Sequence, residues 1–139
     1  MKLKQVPIEL INSMSRNTLM EVLDIKCTEV GDDYVKATMP VDKRTHQPMG
    51  LLHGGASAAL IESIGSMGST LALDLEKEVP VGVEINANHM GGVKEGMVEG
   101  FGKIIHCGKR THVWQVDIKD MSSDKLICSG RLTVMIVPR

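Results

Sequence analysis

A stretch of twenty residues, 56–75 (ASAALIESIGSMGSTLALDL), constrains the fold of this chain more than any other part of its sequence. Ala, Leu and Ile recur there every three and four positions, which predicts one long helix. Gly65 and Gly68 lower the helix propensity but permit another backbone to come close, and Glu62 stands among small and apolar neighbours. Such a helix must be covered, and a single curved sheet is the layer that the flanking sequence offers.

The sequences on both sides of this helix alternate between apolar and polar residues, as strands do. Before the helix, residues 23–27 and 35–41 alternate around a turn at 31–33, which predicts a hairpin. After it, four further alternating segments predict about four strands in a meander: 79–89, 97–105, 112–118 and 126–137. We therefore predict the α+β class, with the helix against one face of an antiparallel sheet.

The whole chain, residues 1–139, is expected to form one domain, because its length is usual for one and no repeat or linker divides it. Ile8, Ile11 and Met14 recur as on a short helix, and residues 1–20 are expected to form a helical lid. The N-terminus lacks a signal-peptide pattern, and no stretch is long enough to span a bilayer. We therefore expect a cytoplasmic protein with no membrane partner.

Charge and cysteine content argue against several other classes of protein. Sixteen basic and seventeen acidic residues leave a net charge of -1, so no overall field favours nucleic acid. The three cysteines (Cys27, Cys107 and Cys128) have no CxxC spacing, and the histidines form no HxxxH motif. We expect free thiols, no disulfide and no metal site.

The chemistry of the chain is expected where the long helix begins. Residues 42–55 (DKRTHQPMGLLHGG) are typical of a loop, which Gly54 and Gly55 end at the helix N-terminus. The Gly55 N–H and the positive end of the helix dipole suit a developing oxyanion, and such donors are worth about 3–4 kcal/mol. Glu62 follows two turns later on nearly the same side, where it can point back toward that donor. It would act on a bound carbonyl as a nucleophile or as a general base to water.

Two loop side chains complete this hypothesis. His53 can orient the carbonyl or the water, and Gln47 can hold the water or the leaving group. Each residue also has a plain structural interpretation: Glu62 can pair across a dimer interface, His53 can be a structural hydrogen-bonding residue, and the glycine pair can be an ordinary turn. Only the spacing of these residues taken together favours a catalytic role over these structural ones.

Three segments resemble one known family: residues 46–66 (HQPMGLLHGGASAALIESIGS), 81–90 (VGVEINANHM) and 109–118 (KRTHVWQVDI). They are similar to hotdog-fold thioesterases of the phenylacetate-pathway and 4-hydroxybenzoyl-CoA type, including the branch that contains 1,4-dihydroxy-2-naphthoyl-CoA hydrolase. The resemblance covers residues 23–137. It implies the hotdog fold, an acyl-CoA substrate, no cofactor other than the coenzyme A of the substrate, and a homodimer with shared active sites that usually forms a homotetramer.

The resemblance also implies roles for particular residues. The family's helix acid, a nucleophile or general base, matches Glu62, and its oxyanion glycine matches Gly55. The residues that match Gln47 and His53 approach the thioester from the other subunit. Three further helix positions line the acyl pocket in the family: Ser63, Ser66 and Met67.

The acyl group and the coenzyme A phosphates call for further residues. Small residues and Met67 on the helix favour an aryl or a medium acyl group, with aryl preferred. Lys109, Arg110 and His89 are candidates for the phosphates through charge-assisted hydrogen bonds. The alternative for the basic pair is a solvated turn.

Two other functions stay open on the sequence. A hotdog hydratase or dehydratase also acts on acyl thioesters, but its usual His-Phe-Pro run before the helix is absent, since Met49 follows Pro48 here. A non-catalytic acyl-CoA sensor that regulates transcription would need a DNA-reading element, and the segment before Leu23 is too short for one.

Overall fold

The structure is a computed structural model that describes residues 1–139. Its elements, in chain order, are α1 (Ile8–Ser13), α2 (Leu19–Val22), β1 (Lys26–Val30), β2 (Tyr34–Val41), α3 (Gly54–Ala72), β3 (Glu78–His89), β4 (Gly96–Cys107), β5 (Thr111–Asp120) and β6 (Leu126–Pro138). One long helix and one antiparallel sheet confirm the predicted α+β class. None of the three helices combines the length and hydropathy that crossing a membrane requires.

The long helix α3 begins two residues earlier and ends three residues earlier than the pattern predicts. It begins at Gly54, after the N-cap residue His53, and ends at Ala72. Leu73 is extended (φ -111, ψ 159) and its side chain is buried, so the apolar residues after the helix serve the core from a non-helical segment. The predicted end of the helix at residue 75 is therefore wrong. Apolar periodicity alone does not distinguish a leucine buried from a helix from one buried by an extended segment.

The first hairpin is shorter than predicted. Leu23 does not belong to its first strand but ends α2, where its N–H donates to the Leu19 carbonyl at 3.0 Å. Asp24 then adopts a left-handed conformation (φ 54), which ends the helix before β1 begins at Lys26. No separate pattern in residues 19–22 predicts this second short helix.

The six strands form one antiparallel sheet in the order β1-β2-β4-β5-β6-β3. Strands β4, β5 and β6 form the predicted meander, but β3 is not part of it. Instead β2 takes the place beside β4, and β3 pairs with β6 at the far edge. Strand β3 is therefore an edge strand, and its outer side has no neighbour within the chain.

Strand β3 also breaks the alternation that its sequence suggests. Gly82 pairs with Val134 and Glu84 with Thr133, so Val83 is the extra residue of a β-bulge. Cross-strand partners share a face, and the bulge therefore exchanges the faces along the strand. Before it, Pro80 and Gly82 face α3; after it, the inward residues are Ile85, Ala87 and His89. The single apolar face predicted over residues 79–89 is wrong.

Helix α3 packs on the inner face of the sheet through its small residues. A Cβ atom added at Gly68 would overlap the indole of Trp114, and one at Gly65 would overlap Leu132. These contacts confirm that the glycines permit close approach. The predicted face of β5 is also buried, with His112, Trp114, Val116 and Ile118 at most 2% exposed.

The N-terminal segment lies against α3 and β1. Asn12 makes two hydrogen bonds with the backbone of Cys27, one to its carbonyl at 2.9 Å and one from its N–H at 2.8 Å. The Lys4 N–H donates to the Leu71 carbonyl at 2.9 Å, and the Ile11 side chain is buried. The segment is thus attached at several points, and between them it covers one side of α3.

Candidate active site

The start of α3 is organised by two histidines. The Gly55 N–H donates to Nδ1 of the preceding His53 at 2.7 Å, so the histidine ring caps the helix. His89, at the end of β3, packs on Gly54, where an added Cβ would lie 2.7 Å from its Nε2. The structure therefore brings His53, Gly54, Gly55 and His89 together at one end of the helix. Any carbonyl that takes the Gly55 N–H must displace the His53 ring.

The loop before the helix is held by buried polar contacts. Thr45 is buried; its hydroxyl donates to the Pro40 carbonyl at 2.8 Å, and its own carbonyl accepts the His53 N–H at 2.8 Å. Gln47 is half-buried, and its side-chain oxygen accepts the N–H of Met49. Gln47 thus closes its own turn in the isolated chain, and its N–H donates to the Leu51 carbonyl at 2.8 Å.

Glu62 lies further along the helix, against the edge strand. Its carboxylate oxygen Oε1 accepts a hydrogen bond from the Ser66 hydroxyl at 3.4 Å. The same oxygen contacts the backbone of Gly82 so closely that an added Cβ there would overlap it. The carboxylate is therefore held between the next turn of its own helix and the bulge of β3.

A cavity of about 320 Å³ opens beside Glu62, between α3 and the N-terminal segment. Its wall on α3 is formed by Glu62, Ser63, Ser66, Met67, Thr70 and Leu71. The opposite wall is formed by Ile11, Met14, Ser15 and Met20. The only ionisable side chain in the lining is that of Glu62, so the cavity suits an uncharged group placed next to a carboxylate.

Three of the four hydroxyl groups of this cavity, all on α3, donate their protons to partners within the chain, and the fourth, on Ser15, lies 3.8 Å from the Met20 sulfur. Ser63 donates to the Ala59 carbonyl at 2.7 Å, Thr70 donates to the Ser66 carbonyl at 2.9 Å, and Ser66 donates to Glu62. A hydroxyl has one proton but two lone pairs, so each oxygen retains the ability to accept. The cavity therefore favours acyl groups that carry hydrogen-bond donors.

The structure separates the predicted catalytic residues of one chain into two groups. Gln47, His53 and Gly55 are absent from the cavity lining, and the Glu62 carboxylate points to β3 rather than back along the helix. The rise of seven helical residues, about 10 Å, explains the separation. The expectation that Glu62 turns toward the Gly55 amide of its own chain is therefore wrong for the isolated subunit.

The basic candidates lie at the two ends of the sheet. His89 is at the end of β3 beside the start of α3, as described above. Lys109 and Arg110 are exposed in the turn before β5. The Arg110 carbonyl accepts the N–H of Ile136, which pairs with Pro80 of β3. The turn is thus level with the Glu62 end of β3, and one chain does not bring it together with His89.

Two features of the site have only weak signals in the sequence. The short-helix pattern at residues 8–14 predicts a lid, but not that Met14 and Met20 face the cavity. Behind the cavity, the Ser69 hydroxyl lies 2.9 Å from Nε1 of Trp114 and 3.1 Å from Nδ1 of His112. Burial lowers the pKa of His112 below its usual 6.5, which favours the neutral ring. This buried group fixes the sheet side of α3.

Comparison with known proteins identifies the family. Residues 49–127 match the model of the thioesterase superfamily. The chain is 48% identical over 134 residues to the 1,4-dihydroxy-2-naphthoyl-CoA hydrolase of Escherichia coli, covering 96% of this chain and 97% of that protein. It is 42% identical over 134 residues to the proofreading thioesterase EntH of Cronobacter turicensis, with 96% of each covered.

Solved structures show the same relationship. A mutant thioesterase from Pseudomonas aeruginosa superposes with a TM-score of 0.96, at 41% identity and with 100% of both chains covered. A thioesterase from Haemophilus influenzae superposes with a TM-score of 0.93, at 41% identity, covering 99% of this chain and 94% of that one. These structures confirm the predicted hotdog fold, with α3 enclosed by a curved sheet.

The chain belongs to the thioesterase superfamily of the hotdog fold. It is a thioester hydrolase, related over nearly its whole length to the 1,4-dihydroxy-2-naphthoyl-CoA hydrolase and EntH-type thioesterases.

Proposed function

We propose that this protein hydrolyses aryl-CoA thioesters, and that acyl groups bearing hydroxyl substituents are its preferred substrates. The observation that supports this most strongly is the cavity beside Glu62, whose lining joins one carboxylate to apolar side chains and hydroxyl oxygens that accept. A phenolic O–H of the substrate can donate a hydrogen bond to these oxygens, and its aromatic ring can contact the apolar side chains of the lining. The name of the Escherichia coli relative, a dihydroxynaphthoyl-CoA hydrolase, agrees with this substrate class.

The active site is proposed to form between two subunits. Strand β3 is a twelve-residue edge strand whose Val81, Val83 and Ile85 are 45%, 52% and 38% exposed. A long edge strand that exposes apolar side chains pairs readily with another strand. If two β3 strands pair antiparallel, the His89 end of one lies beside the Glu62 end of the other. The Gly55 amide, His53 and Gln47 of one subunit then approach Glu62 of its partner, and dimers of this type can assemble further into a homotetramer.

Each residue of this shared site has a role in the hydrolysis. The Gly55 N–H, released when the His53 ring turns away, binds the thioester oxygen, and the helix dipole stabilises the developing negative charge. Glu62 attacks the carbonyl to form an anhydride that water opens, or it removes a proton from an attacking water. Gln47 holds the water or the sulfur, and the thiolate leaves without a general acid. The chemistry then needs no cofactor and no metal.

The remaining substrate contacts follow from the same arrangement. Ser63, Ser66 and Met67 contact the acyl group from α3, and residues 1–20 close the cavity as a lid. Lys109 and Arg110 lie level with the Glu62 end of β3, where they can meet phosphates of coenzyme A, together with His89 of the partner subunit. Free acyl-CoA is a substrate of the cytoplasm, and we place the protein there.

A panel of coenzyme A esters tests the proposed substrate class. Release of free thiol is measured for matched pairs that differ by one hydroxyl, such as 2-hydroxybenzoyl-CoA and benzoyl-CoA, beside dihydroxynaphthoyl, phenylacetyl and straight-chain esters. We expect kcat/KM to be highest for the hydroxylated aryl esters, because a matched hydrogen bond discriminates strongly in a buried site. A higher kcat/KM for straight-chain esters, or no difference within the pairs, contradicts the proposal.

Mixing two inactive variants tests the shared site. Glu62→Gln and Gln47→Ala remove residues that the proposal places on opposite sides of one site. After random exchange of subunits, half of the dimers are mixed and each has one intact site, so about a quarter of the wild-type activity should return. Two inactive variants that stay inactive after verified exchange contradict the sharing of sites.

A further inference from the structure

The Glu62 carboxylate rests on a strand position that has no side chain. Oε1 of Glu62 contacts the backbone of Gly82, and an added Cβ at that position would overlap Oε1 and lie 3.3 Å from the carboxyl carbon. The only hydrogen bond to the carboxylate within the chain comes from Ser66, and at 3.4 Å it is long. The wall at Gly82 therefore limits where the carboxylate can go more than this hydrogen bond does.

The bulge explains why this position faces the helix. Gly82 is the last residue of the first inward-facing set of β3, and the unpaired Val83 follows it. Beyond the bulge the inward residues are Ile85, Ala87 and His89, each of which carries a side chain. The edge strand thus presents bare backbone to α3 at Gly82, level with Glu62. Bulges beside active sites commonly adjust the direction of a side chain in this way.

We infer that Gly82 and the adjacent bulge hold the Glu62 carboxylate in its position, and that Gly82 is therefore a positioning residue for hydrolysis. The inference rests on the proposed role of Glu62 in thioester cleavage. Any side chain at position 82 displaces the carboxylate from this position and so moves it relative to the scissile carbonyl. The displaced atoms are the end of a flexible side chain, so the fold tolerates the change while the chemistry does not.

The variant Gly82→Ala tests this inference. We expect kcat to fall by about 10- to 100-fold, because a displacement of about 1 Å can cost 10²-fold. KM should stay within about threefold of the wild-type value, since the acyl walls are unchanged. The matched control is Gly91→Ala, whose added Cβ meets only the flexible ends of Ile127 and Lys125, at 3.2 Å. We expect its kcat to be unchanged.

A double-mutant cycle separates the direct contact from a general disturbance. The Glu62→Asp side chain is one methylene shorter and does not reach the added Cβ. In that background Gly82→Ala should therefore change single-turnover hydrolysis by less than about threefold. An equal loss in both backgrounds, or a wild-type kcat in Gly82→Ala, overturns the inference. If Gly82→Ala does not fold, Glu62→Ala must restore folding, and failure to do so also overturns it.

The outcomes separate this inference from the proposed function. If Glu62→Gln still hydrolyses the thioester at the wild-type rate, the proposed mechanism fails. If Glu62→Gln is inactive and Gly82→Ala retains the wild-type kcat, the mechanism stands and the positioning role of Gly82 fails.

Discussion

The two faces of helix α3 have the same neighbours in sequence but opposite properties. The face toward the sheet is dry and closely packed, with glycines against Trp114 and Leu132 and one satisfied polar group at Ser69. The face toward the N-terminal segment is half-buried and lines a cavity with hydroxyls and one carboxylate. A helix held rigidly on one side can therefore present a carboxylate at a fixed place on the other, which is what preorganised catalysis requires.

The largest effect on stability is expected from crowding the sheet face. In Gly68→Ala the new methyl group overlaps the Trp114 indole, which is completely buried and cannot move aside. We expect the free energy of unfolding to fall by about 1–3 kcal/mol. The measurement is urea unfolding at one fixed protein concentration, because association also stabilises the chain.

The matched change on the cavity face is Ser63→Ala. It removes an oxygen that faces open space, so stability should change by less than about 0.5 kcal/mol. Its effect should instead appear as a reduced preference for hydroxylated acyl groups. If Ser63→Ala destabilises the protein as much as Gly68→Ala does, the two faces do not differ in the way described.

A smaller effect is expected from opening the lid side of the cavity. Met20→Ala removes part of the wall opposite α3. We expect kcat/KM for the preferred acyl group to fall roughly tenfold, since a few methylene contacts in an apolar pocket are worth about 1–3 kcal/mol. Larger acyl groups should lose less. The control is Met121→Ala, an exposed residue in the turn after β5, and an equal loss there contradicts a lid role for Met20.

The smallest expected effect is a dependence of stability on pH that comes from the sheet face. Burial lowers the pKa of His112, so below its usual 6.5 the unfolded chain binds a proton that the folded chain does not. Stability should therefore fall as the pH drops from 6.5 through the lowered folded-state pKa. Unfolding measured at several pH values should show a weaker slope in His112→Gln. An unchanged slope contradicts this assignment.

The same two faces show how far the sequence determines the structure. The periodicity of α3, the small residues that let it approach the sheet, and the buried face of β5 all follow from local patterns. The position of β3 at the sheet edge does not follow from local patterns, because it depends on whether β2 or β3 pairs with β4. The exchange of faces at Val83 is likewise invisible, since a bulge adds one residue without any change in composition.

The candidate site shows a similar division. The spacing of Gly55 and Glu62 marks both residues, but it suggests that they meet within one chain. Helix geometry places them about 10 Å apart, and the strand contact at Gly82 directs Glu62 elsewhere. A sequence motif thus identifies the residues of a site but not which subunit contributes each residue. The subunit depends on how the edge strand pairs, and the motif does not contain that information.

The most direct test concerns the carboxylate on the cavity face. The turnover of Glu62→Gln is compared with that of Glu76→Gln, an exposed residue just beyond the same helix, on the preferred aryl-CoA. Loss of the base or nucleophile predicts a decrease in kcat of about 10²–10⁴-fold for Glu62→Gln with unchanged folding, and no decrease for Glu76→Gln. A folded Glu62→Gln variant that releases thiol at the wild-type rate would contradict the catalytic role of Glu62.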